Sequence, residues 1–333
     1  MDPLDVVSLS RTLIDIDSTT GREIEVAQWL ADWLRTHEYR VTEQAVDGGR
    51  FNLFATLGDP HVVFSTHLDC VPPFFASSEE RGVLYGRGAC DAKGIIAAQL
   101  VAVERLRAAG EQRAGLLFVV GEERGSDGAR AANTIAPDSR YLINGEPTDN
   151  RLGLATRGLL RVKLKAHGRA AHSSHPELGD SAIERLVNAI VALRAVELPV
   201  DPVLGRTYYS VGLISGGVAP NVIPAEAEAE VAFRSVGAAR DVTAALGALD
   251  GTVQAEEILE IPPAMLMTVP GFETAVFPFT TDVPFLSAWG RPLLLGPGSV
   301  QVAHTDEEHV RIDDLHTAIE HYVRLATTLL ALE

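Results

Sequence analysis

Histidines and carboxylates follow short apolar runs at several points of this chain. The run 62–65 leads into His67-Leu68-Asp69, and 116–120 into Gly121-Glu122-Glu123. The run 141–143 leads into Gly145-Glu146-Pro147, and 293–295 into Gly296-Pro297-Gly298 and then His304. Asp91 closes the Gly-rich stretch Gly86-Arg87-Gly88-Ala89-Cys90-Asp91, just before an apolar segment that starts at Gly94. In α/β sheets, ligand-binding groups come from the loops past the carboxyl ends of buried strands, so these side chains are expected to converge on one sheet edge. Carboxylates gathered there repel one another and titrate upward unless a cation neutralises them. A pair of divalent ions absorbs that charge. Imidazole and carboxylate donors without an obligate thiolate suit Zn²⁺, with Co²⁺ or Mn²⁺ chemically tolerable.

The elements that must carry these groups alternate in the manner of an α/β sandwich with a covered sheet. Apolar spacing predicts helices over 4–16, 94–109 and 127–134, and strands over 40–46, 52–57, 62–66, 116–120 and 141–144. Thr20 and Glu23 read as a capping box opening a helix that runs to 37. The pattern changes after Arg157. Strand-like 159–166 and 207–214 flank a helix over 181–196, and 225–234 alternates residue by residue, with Glu226, Glu228 and Glu230 on one face. A helix over 238–249 and a strand over 252–261 complete an α+β unit, before a strand at 293–295 and a closing helix over 312–332. The expected organisation is a catalytic domain of 1–157 and 268–333, with 158–267 inserted into it.

Composition bounds the function. The 333 residues suggest two domains, at roughly 150 residues each. Hydrophobic residues at 46% and charged residues at 22% describe a globular enzyme rather than a disordered chain. The net charge of −17 argues against nucleic acid and anionic membrane surfaces as partners. Two cysteines, Cys70 and Cys90, are too few for a disulfide framework. They read as small buried side chains suited to a reducing compartment. With no secretory-type start and no apolar run near the ~20 residues that span a bilayer, the expected location is cytoplasmic.

The stretches Ser65-Thr66-His67-Leu68-Asp69, 86–94, Gly121-Glu122-Glu123, Gly145-Glu146-Pro147 and Ala303-His304-Thr305 together resemble, in order and spacing, one family. It is the dinuclear-zinc amidohydrolases and exopeptidases that include acetylornithine deacetylase, succinyl-diaminopimelate desuccinylase and glutamate carboxypeptidase. The resemblance spans nearly the whole chain. It implies a zinc-exopeptidase-like catalytic domain with a mixed, helix-covered sheet, and an inserted α+β lid or dimerisation domain. It implies that Asp91 bridges two metal ions, that His67 and Glu146 complete one site, and that Glu123 and His304 complete the other. Asp69 would orient His67, and Glu122 would act as general acid/base. Neighbouring residues of an extended segment point opposite ways, so one glutamate can bind metal while the other faces substrate.

In the inserted domain, the resemblance assigns His172 to the oxyanion, within its own subunit or across a homodimer, and Asn221 and Arg234 to a substrate carboxylate. Arg157 is a second anion anchor, and Gly298 either offers its backbone N–H to a carboxylate or makes a plain turn. The implied reaction is hydrolysis of the amide bond of N-acyl amino acids, with a dinuclear-zinc exopeptidase as the alternative. Two positions depart from the pattern: Ala232 stands where an aspartate is frequent, and Cys70 where Thr or Val is commoner. His304 and His309 are five apart, off a shared helix face, which argues against a zincin helix.

Overall fold

The apolar runs form the strands Val62–His67, Ala114–Val119 and Tyr141–Asn144 in the computed structural model, which describes residues 4–249 and 251–332. Every residue of the three strands is buried, as expected where helices cover both faces of a parallel sheet. Among the described residues, they belong to a six-stranded sheet ordered Arg40–Asp47, Arg50–Thr56, Ala114–Val119, Val62–His67, Tyr141–Asn144, Arg291–Leu294. The first two pairings are antiparallel and the last three parallel. The four parallel strands therefore end at one edge.

Successive side chains of a strand point to opposite faces, and the two faces feed different cores. Phe64, Leu116, Phe118 and Ile143 pack into the larger core with Leu13, Leu30, Ile96 and Ile319. Val63, Leu117, Val119 and Leu142 pack on the other side with Ala129, Ala132 and Trp289. Trp289 is fully buried, donates its indole N–H to the Ala132 carbonyl at 3.1 Å, and meets Phe54 edge-on at 5.1 Å. Truncating such a residue typically costs about 3–5 kcal/mol. The helix Ile312–Leu330 buries Leu315, Ala318, Ile319, Tyr322, Leu325, Ala326 and Leu329, the i, i+3, i+4 spacing of one apolar stripe. Lys93–Ala108 is buried almost all round, because Val6–Ile14, Ile312–Leu330 and the sheet all pack against it.

The capping box expected at Thr20 does not form. The helix begins at Ile24, and the Glu23 carboxylate instead accepts the Gly21 N–H at 2.7 Å and pairs with Arg50 at 3.0 Å. The Thr20 hydroxyl donates to Asp69 at 2.9 Å. A buried carboxylate outcompetes the helix end for that hydroxyl.

The chain divides into two units. One comprises the residues up to Leu154, Leu266–Ala275 and Thr281 onward; the other comprises Ala155–Met265 and Val276–Thr280. The second unit is built on a four-stranded antiparallel sheet ordered Tyr208–Gly216, Glu226–Arg234, Leu159–His167, Gln254–Ile261. Ala227, Ala229, Val231 and Phe233 face a core with Leu186, Leu193 and Val242 from the helices Ala182–Leu193 and Ala239–Leu246. The glutamates between them face water, where Glu230 pairs with Arg161 at 2.7 Å and Glu228 with Lys163 at 3.4 Å. Each such surface pair adds at most about 1 kcal/mol. Among the described residues no helix is long and apolar enough to cross a membrane.

Candidate metal centre

His67 is the last residue of its strand, and Glu146 lies two residues past Asn144. Glu122 and Glu123 sit in a single 3₁₀ turn, Glu122–Arg124, just beyond Val119. Asp91 arrives from the loop before Lys93–Ala108. Among the described residues, two groups of three offer ligand atoms all within 4.8 Å of one another: His67, Asp91 and Glu146, and Asp91, Glu123 and His304. Asp91 belongs to both. Its Oδ1 is 2.9 Å from His67 Nε2, and its Oδ2 is 3.3 Å from His304 Nε2. His304 Nε2 is also 2.9 Å from Glu123 Oε1. Neither cysteine belongs to either group; both are buried free thiols, and burial pushes Cys70 up to about 12.

These residues fit a pair of cations. His67 Nδ1 lies 2.9 Å from the Asp69 backbone carbonyl. A carbonyl only accepts, so Nδ1 carries a hydrogen, and the neutral ring would meet the Asp91 carboxylate with the Nε2 lone pair. Two acceptors at that separation need a proton or a metal ion between them. Glu146 Oε1 is buried with no hydrogen-bond partner. Burial, with the nearby negative charge of Asp91, pushes the Glu146 carboxyl well up, and burial likewise raises Glu123. The imidazoles shift in the matching sense. Hydrogen bonds to Asp91 and Glu123 push His304 up to about 10, and His67 rises because its contacts with Asp69 and Asp91 outweigh burial. Dications would replace those protons and lower the carboxyl groups again.

Asp69 is fully buried and holds more than His67. Its Oδ1 accepts the Glu122 N–H at 3.0 Å, and its Oδ2 accepts the Glu123 N–H at 3.2 Å and the Thr20 hydroxyl at 2.9 Å. Its carboxylate is 3.6 Å from His67 Nδ1, whose short contact is with the Asp69 carbonyl. Glu122 belongs to neither ligand group. Burial, then the charges of Glu146 and Asp282, push its carboxyl well above the usual range. A buried carboxyl raised in this way has the character of a general acid/base.

Asp282 escaped the sequence reading. It is buried, its Oδ1 has no partner, and burial pushes it up to about 7. A lone aspartate ahead of Val283-Pro284 in a mostly uncharged segment is the signal that marks it. Gly298 has φ +78°, and a Cβ there would stand 2.5 Å from Cys90 Cβ, so packing alone requires glycine. Its carbonyl accepts the Asp149 N–H at 2.8 Å.

The remaining candidates lie in the second unit. Strands Ala171–His172 and Val222–Ile223 pair with His172 opposite Val222, and the Ser173 N–H donates to the Asn221 carbonyl at 3.0 Å, so Asn221 lies one position beyond the partner of His172. The Ser174 N–H donates to His172 Nδ1 at 3.2 Å. A backbone N–H only donates, so the neutral ring carries its hydrogen on Nε2. Arg234 ends its strand opposite Tyr208. Arg157 lies over the Tyr208 ring at 4.7 Å and donates to the Arg206 carbonyl at 2.5 Å, so part of its fork is committed to the fold.

Comparison with known proteins bears on this geometry. A probable carboxypeptidase of Aspergillus clavatus is 38% identical over 375 residues, covering 98% of this chain and 82% of that protein. A tripeptidase from Staphylococcus aureus superposes with a TM-score of 0.84 at 21% identity, covering 97% of each chain. A Bacillus subtilis protein described as a dinuclear metal binding peptidase superposes at 0.72 and 15% identity, covering 98% of this chain and 97% of that one. The model of peptidase family M20/M25/M40 matches residues 63–328, from the second residue of the strand ending in His67 to near the end of the closing helix. The chain is thus a hydrolase with the α/β fold of these peptidases, and it belongs to peptidase family M20/M25/M40.

Proposed function

We propose that this peptidase is a dinuclear-metal exopeptidase of the carboxypeptidase type, cleaving the amide bond beside a free α-carboxylate. The carrying observation is the Asp91 carboxylate shared between two ligand groups, with the raised Glu122 carboxyl close by and in neither. The relative named a probable carboxypeptidase adds weight to peptide substrates. Deacylation of N-acyl amino acids is the second reading. It draws on the stretches 86–94 and Gly145-Glu146-Pro147-Thr148, which resemble the deacetylase branch, and it breaks the same kind of bond.

His67, Asp91 and Glu146 would hold one ion, and Asp91, Glu123 and His304 the other; Zn²⁺ suits the donors, as do Co²⁺ and Mn²⁺. When bound, such ions polarise a carbonyl and acidify water. Glu122 takes the proton of the attacking water and returns it to the leaving amine. Asp69 fixes the backbone of that base through the Glu122 N–H. His172 presents Nε2–H, the tautomer that donates to a developing oxyanion. Asn221 and Arg234 are the proposed carboxylate anchors, with Arg157 and Gly298 in lesser roles.

The second unit is proposed as the lid and dimerisation domain. Its edge strand Tyr208–Gly216 has one neighbour and exposes Leu213 at 64% and Ile214 at 59%. An unprotected apolar edge invites pairing with a second copy. The buried free thiols accord with a cytoplasmic protein.

Free-amine release by the zinc-loaded protein, across N-blocked dipeptides, free dipeptides and N-acetyl or N-succinyl amino acids, tests the reading. At least tenfold faster release from N-blocked dipeptides is expected. Tenfold preference for acyl amino acids would move the function to deacylation, and release from none of them would overturn both readings.

A further inference from the structure

We propose that Glu308 is a positioning residue for the metal centre, holding the loop 86–91 so that Asp91 reaches both ligand groups. The proposal rests on the dinuclear reading above. Glu308 is fully buried and lies four residues beyond His304. Its Oε2 accepts from Arg87 Nη1 at 2.5 Å, and its Oε1 accepts the Gly88 N–H at 2.9 Å and the Asp91 N–H at 3.2 Å. The Cys90 thiol points at the same Oε1 from 3.7 Å. One carboxylate thus fastens the shared Asp91 to the segment that carries His304.

Arg87 is equally buried and held from other sides. Its Nε donates to the Pro73 carbonyl at 3.1 Å, and its guanidinium lies 5.0 Å from the centre of the Phe75 ring. Gly88 turns the loop at φ +89°, where a Cβ would meet Cys70 Sγ at 2.8 Å and the Lys93 side chain at 2.9 Å. The loop is thus held by Glu308, the Pro73 carbonyl and the Phe75 ring together. A buried ion pair is weak support for stability but strong support for geometry when its carboxylate also takes backbone donors. The side chains beyond the ligands typically account for a 10–100-fold difference in metal affinity.

Two variants separate clamping from charge. Glu308→Asp keeps the charge but withdraws the carboxylate by one methylene from the Gly88 and Asp91 N–H groups. The double variant Arg87→Met/Glu308→Gln removes the ion pair as a unit and keeps an acceptor for those N–H groups. The readouts are titration of the metal-free proteins with Co²⁺, the visible Co²⁺ spectrum, and the melting temperature of each metal-free protein. E308D is expected to bind Co²⁺ about 10–100-fold more weakly with an altered spectrum. The double variant is expected to stay within about threefold of wild type with the wild-type spectrum.

Unchanged Co²⁺ binding in E308D overturns the role of Glu308, as does equal loss in both variants. A Co²⁺ loss that merely follows the melting temperature across the variants also overturns it, since that assigns Glu308 to fold stability alone. A wild-type protein that takes up no Co²⁺ overturns the dinuclear centre itself and the positioning role with it.

Discussion

Asp69 accepts the backbone N–H of Glu122 at 3.0 Å, so the residue two past the ligand candidate His67 also fixes the candidate base. The same carboxylate takes the Glu123 N–H and the Thr20 hydroxyl. One buried group therefore sets the relative position of three chain segments.

Asp69→Asn puts an amide N–H₂ against one of these donors while keeping the side-chain volume. Co²⁺ affinity should fall about 10–100-fold, with a smaller loss from Thr20→Ala, which removes one hydrogen bond worth about 1 kcal/mol. Titration of both variants with Co²⁺ checks this, and wild-type affinity in Asp69→Asn would show that the carboxylate is dispensable.

Glu122→Gln removes the proton acceptor without touching either ligand group. Both ions should remain by elemental analysis, while kcat falls by about 100-fold or more. Turnover at the wild-type rate would remove Glu122 from the mechanism.

Metal uptake should expel protons. His304 is pushed up to about 10, so its ring is an imidazolium near neutral pH in the metal-free protein, and contacts with Asp69 and Asp91 shift His67 in the same direction. A ligating imidazole must be neutral, so the apparent affinity should rise with pH as those protons are lost. Calorimetric titration in buffers of different ionisation enthalpy measures the release; uptake with no proton released would show that these rings do not bind the ions.

A charge on the exposed edge strand should block pairing of copies there. Leu213→Lys/Ile214→Glu is expected to shift the sedimenting species from dimer to monomer, with little change in melting temperature because both side chains are largely exposed. A wild-type protein that sediments as a monomer would remove the dimer.

The parts of the structure visible in the sequence are those ruled by local pattern. The runs around Phe64, Leu117 and Ile143 announce buried strands by apolar continuity, and the charged residues just past them mark the edge where His67, Glu123 and Glu146 meet. The alternation of Glu226, Glu228 and Glu230 likewise announces a sheet with one wet face. What stayed hidden depends on contacts remote in sequence. Thr20 and Glu23 match a capping box, yet Asp69 and Arg50 compete for their side chains from distant segments. Glu308 sits among ordinary charged residues near His304, and only folding brings it to Arg87, 221 positions away. Asp282 has no periodic or motif context, and its burial alone singles it out.

Amide hydrolysis here is proposed to depend on ions held around Asp91. The most direct measurement is free-amine release from an N-blocked dipeptide by one preparation as purified, after exhaustive chelation, and after readdition of Zn²⁺, with bound zinc counted at each stage. Release should be lost on chelation and return as two ions rebind. Release that persists in protein shown to hold no metal would contradict that dependence.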